Sequence, residues 1–95
     1  MTSDLNDVEN DYQKSKILPY KVSLYESCYI YRTSPNTFES MASFAEDDSN
    51  AAYLLKIAIQ EKGESAALAA CETFLYNRED TRTIQEFFAD FMREG

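Results

Sequence analysis

The sequence predicts a mainly α-helical fold, a small single-domain bundle of about four helices. Three observations carry that expectation. Apolar residues make up 44% of the 95 residues, enough for one core. Only two glycines and two prolines occur, too few turn residues for a fold of many short strands. Near the end of the chain, Ile84, Phe87, Phe88, Phe91 and Met92 recur at helical spacing, within an arc of about 140° on a helical wheel.

Residues 1–16 read as an acidic N-terminal arm or a short helix capped by Ser3 or Asp4, with Leu5, Val8 and Tyr12 as a thin apolar stripe. Residues 17–95 read as one compact, mainly helical domain. Within it, 20–33 (YKVSLYESCYIYRT) is ambiguous. With period two, Val22, Leu24, Cys28 and Ile30 share one side, and Tyr25, Tyr29 and Tyr31 the other. With period 3.6, Leu24, Cys28 and Tyr31 align instead. The density of tyrosine and β-branched residues favours a short strand or hairpin here, which would make the fold α+β.

The later helical signals are firmer. Ser34-Pro35 pairs a capping residue with proline at the first helical position, and Phe38, Met41, Phe44 and Ala45 are expected to form the buried face. The run Glu46-Asp47-Asp48-Ser49-Asn50 breaks that helix and caps the next. Residues 51–62 are apolar nearly all round, as in a central helix that touches neighbours on several sides. Gly63 is placed to stop it. Residues 65–76 bring Leu68, Cys71, Phe74 and Leu75 to one face, and Asn77 ends that helix. Thr83 and Glu86 have capping-box spacing at the start of the last one.

The chemistry the chain can perform is narrow. It has no histidine, so Ser-His-Asp and Cys-His catalysis are excluded. Its two glycines, Gly63 and Gly95, form no phosphate-binding loop. Asp47-Asp48-Ser49-Asn50 lacks the glycine and distal glutamate of a calcium loop. Cys28 and Cys71 have no neighbouring thiol or imidazole in sequence, so no metal site is indicated, and reduced thiols of a cytoplasmic protein are the expectation. No catalytic residue, cofactor or metal is therefore expected. The acidic N-terminus is no signal peptide, and no apolar run approaches the roughly 20 residues of a membrane span.

Charge points toward a protein partner. Seventeen acids against nine bases give a net charge of −8, which opposes direct contact with nucleic acid or anionic membranes. On the last helix, Glu86, Asp90 and Glu94 recur every fourth residue. Their carboxylates are then about 6 Å apart along the axis, near the interval between phosphates of one nucleic-acid strand. Arg82 and Arg93 flank and partly neutralise that row. Glu46, Asp47 and Asp48 form a second acidic group. The primary expectation is a small acidic inhibitor that binds the basic groove of a nucleic-acid-handling protein. Proteins of phages and mobile elements directed against restriction or CRISPR machinery have this character. The alternative is a regulatory or structural subunit (an antitoxin, an immunity protein or a homo-oligomer such as a homodimer) with a hydrophobic interface built on Tyr25, Tyr29 and Tyr31.

Overall fold

The structure, a computed structural model, describes residues 17–94. The described residues form five α-helices: α1 (Val22–Thr33), α2 (Pro35–Phe44), α3 (Ala51–Lys62), α4 (Glu64–Tyr76) and α5 (Ile84–Arg93). A single 3-10 turn, Pro19–Lys21, leads into α1. The mainly helical bundle expected from composition is the fold. The N-terminal arm expected at 1–16 lies outside the described residues.

The strand expected within 20–33 is replaced by α1, and no strand occurs among the described residues. Packing overrides the local preference of the tyrosines. Leu24, Ser27 and Cys28 are buried and Tyr31 packs against the core, so the stripe follows the 3.6-residue period. The short hydroxyl of Ser27 is accommodated because it donates to the Ser23 carbonyl (2.9 Å).

Connections are short, and each has a local cause. Ser34 alone links α1 to α2: its N–H bonds the Ile30 carbonyl, and its own carbonyl accepts from Phe38 N. The expected side-chain cap at Ser34 does not form, and Pro35 supplies the start. Asn50 joins two helix ends. Its Nδ2 donates to the Met41 and Ala45 carbonyls at the end of α2 (2.8 and 2.9 Å), while its Oδ1 accepts from Ala52 N at the start of α3. Gly63 closes α3 and opens α4 with φ 95° and ψ 151°, a region that other residues avoid. At α5 the expected capping box is complete: Glu86 N donates to Thr83 Oγ1 (3.0 Å), and Thr83 N donates to Glu86 Oε1 (2.8 Å).

Helix α3 is central and packs against α1, α2, α4 and α5. Its buried residues Ala51, Ala52, Leu55 and Ala58 are mostly small, which allows close helix approach on several sides. The core closes around Leu24, Phe38, Leu55, Phe74, Phe87 and Phe88. The Phe74 and Phe87 rings stack at 4.3 Å, and Tyr31 meets Phe38 edge-on at 5.0 Å. On α2 the buried pair is Phe38 and Ala42, whereas Phe44 is 91% exposed. Phe44 lies six residues after Phe38, about 240° around the wheel, so the expected apolar face does not include it.

Candidate acidic interface

The last helix places Glu86, Asp90 and Glu94 along one side, but their carboxylates are not equivalent. Glu86 is engaged by its cap. Asp90 is held by two cations: Arg82 Nη1 donates to its Oδ2 (2.9 Å), and Arg93 Nη2 donates to its Oδ1. Glu94 stays exposed beside Phe91, at the mouth of a groove between α4 and α5. The flanking arginines read from the sequence thus remove the middle charge of the row.

Arg82 does more than neutralise Asp90. Its guanidinium also binds Asp80 (Nη2 to Oδ2, 2.6 Å; Nε to Oδ1, 3.0 Å) and lies over the Phe74 and Phe87 rings. Those hydrogen bonds hold the Asp80 carboxyl below its ordinary 3.8. The adjoining cation is Lys21, which is completely buried. Its Nζ donates to the Phe74 carbonyl (2.8 Å) and the Asn77 carbonyl (3.0 Å), closing the C-terminus of α4, and sits 4.0 Å from the Phe74 ring centroid. Burial lowers the Lys21 pKa, and the Asp80 charge opposes that shift. Sequence reasoning missed Lys21, because nothing local distinguishes it from a solvated lysine.

Glu46, Asp47 and Asp48 are all exposed on the loop between α2 and α3. The loop has a fixed shape. Asp47 Oδ1 accepts from Ser49 N (2.9 Å) and from the Ser49 hydroxyl, and these bonds hold the Asp47 carboxyl below the usual carboxylate range. Gln85 Nε2 donates to the Asp48 carbonyl (2.9 Å), which ties the loop to the start of α5. Among the described residues no lysine or arginine pairs with these three carboxylates. A groove of about 530 Å³ opens beside them, lined by Glu26, Tyr29, Ile30, Met41, Ser49 and Asn50 among others.

The tyrosines are divided by the helix that carries them. Tyr25 and Tyr29, four residues apart, border a small pocket with Arg32, Glu72 and Tyr76. Tyr31 points elsewhere: its hydroxyl donates to Glu64 Oε2 (2.8 Å) and its ring packs on Phe38. The three do not form one outward face. Exposed Tyr76, invisible as a partner in the sequence, joins Tyr29 instead.

Among the described residues no group of His, Cys, Asp and Glu side chains is arranged to hold a metal ion, and no helix is long and apolar enough to cross a membrane. No protein-family model, curated protein or solved structure matches this chain.

Proposed function

We propose that this chain is a small acidic binding protein that occupies a basic, nucleic-acid-contacting surface of a larger cytoplasmic protein and blocks it, in the manner of phage and mobile-element counter-defence inhibitors. The observation that carries the reading is the loop Glu46–Asp48. Three exposed carboxylates, with no basic partner among the described residues, are held in a fixed shape by Ser49, Asn50 and Gln85. Preorganised charge of one sign steers a basic partner and loses little entropy on docking. The neighbouring groove, with Ile30 and Met41 in its lining, offers apolar contact beside that charge. The α5 row contributes less, because Asp90 is already paired.

Affinity capture from host lysate, washed at low and high salt, tests this. A nucleic-acid-handling protein should be retained at low salt and lost at high salt. Glu46→Lys with Asp48→Lys should abolish capture without unfolding the bundle, since both side chains are exposed. Capture unchanged by those reversals would end the proposal.

The exposure of Phe44 favours a second reading, a regulatory or self-associating subunit with an apolar interface. That reading predicts complexes that survive high salt and are lost in Phe44→Ser.

A further inference from the structure

The groove beside the acidic loop suits an apolar side chain. One wall is a single face of α1, where Ser23, Glu26, Ser27 and Ile30 recur at helical spacing. The other wall is Met41 of α2 with Ser49 and Asn50 of the loop. Most polar groups of these walls are already spent. The Ser27 hydroxyl donates to the Ser23 carbonyl, the Ser49 hydroxyl donates to Asp47, and the Asn50 amide joins α2 to α3. What remains for an occupant is the half-buried Ile30 and Met41 and the exposed Tyr29. A groove of about 530 Å³ has room for a large aliphatic or aromatic side chain and the backbone that carries it. Charge decides what that backbone belongs to. Glu26 stands on the α1 wall, Glu46, Asp47 and Asp48 lead into the opposite one, and no lysine or arginine lines the groove among the described residues. A second copy of this chain, with the same carboxylates and a net charge of −8, would be repelled.

We propose that this groove takes a short basic segment of the partner protein, with one large apolar side chain seated against Ile30 and Met41 and a lysine or arginine on each side of it. The inference rests on the function proposed above and names the chemistry of the partner's contact. One flanking cation faces Glu26 and the other faces the acidic loop. Neither part is sufficient alone. Exposed ion pairs contribute little in water, and an apolar side chain by itself gives no preference for a basic partner. Together they reject an acidic segment by repulsion and a purely basic one by leaving the groove unfilled.

The test titrates the intact, isotope-labelled chain at low salt with the blocked peptide Lys-Arg-Leu-Arg-Lys, and with the same peptide carrying alanine for leucine, and follows amide shifts by NMR. The leucine peptide should move the amides of Tyr29, Ile30, Met41 and Ser49, and the alanine peptide should bind at least about tenfold more weakly. Equal affinities, or shifts confined to residues 46–48, would show attraction by charge alone and overturn the proposal. Dimerisation through the same amides without peptide would overturn it too. Ser23→Trp fills the groove from an exposed position and leaves every carboxylate in place. It should abolish both the leucine preference and capture of the partner from lysate. The peptide comparison needs no variant, so it decides the matter even if that substitution perturbs α1. Capture that is lost in Glu46→Lys with Asp48→Lys but survives Ser23→Trp would overturn the groove and leave the wider reading standing. Capture indifferent to the charge reversals would end both.

Discussion

Lys21 shows how one residue can hold three parts of a chain together. Its ammonium has left water entirely, which is unfavourable unless every proton finds a partner. Two carbonyls at the end of α4 and the face of Phe74 supply those partners. Lys21→Met keeps most of the volume and strands both carbonyls, so it should destabilise the protein by about 2 kcal/mol in urea unfolding. A change below about 0.5 kcal/mol would show that water replaces the ammonium. Asp80 completes the same cluster, and its effect depends on pH. Its folded pKa lies below the unfolded 3.8, so its stabilising contribution is present above that value and is lost as pH falls through the folded pKa. Asp80→Asn should therefore cost about 1 kcal/mol at neutral pH, and the difference from the unmodified protein should vanish in the most acidic part of the curve. A difference that persists there would assign it to packing.

At the scale of elements, helix ends account for what the sequence made legible. The Thr83–Glu86 box, the Asn50 cap and the Gly63 stop all act within a few residues, so their spacing alone predicts them. Gly63 has room for a methyl group, with nothing within 4 Å of an added Cβ. Gly63→Ala should nevertheless cost about 1–3 kcal/mol, because the backbone conformation itself resists a side chain. An unchanged thermal midpoint would mean that the turn relaxes. What the sequence did not make legible depends on distant partners. The segment that forms α1 is ambiguous in sequence because its tyrosines and β-branched residues carry a strand preference. The contacts that decide otherwise, Leu24 and Cys28 against the core, come from helices far along the chain. The candidate interface was half legible for the same reason. Arg82 and Arg93 could be placed near Asp90 from spacing, but the split of Tyr31 from Tyr25 and Tyr29 required knowing that α1 is a helix.

Across the whole molecule, acidity and packing follow different geometries. The bundle is organised around α3, whereas the exposed carboxylates of Glu46–Asp48 lie on the loop that leads into it and are tethered to the start of α5. A partner that grips this loop therefore bears directly on the N-terminus of the central helix. Helix α3 touches all four other helices, so its amides cannot reach solvent by the fraying of any one neighbour. Its interior N–H groups, from Leu55 to Ile59, should exchange with deuterium only through global opening, while α5, which packs mainly on α3, exchanges through cheaper local events. The slowest-exchanging amides of this protein would then read out its entire unfolding free energy, and a bound partner would register there as slowed exchange well away from the surface it covers.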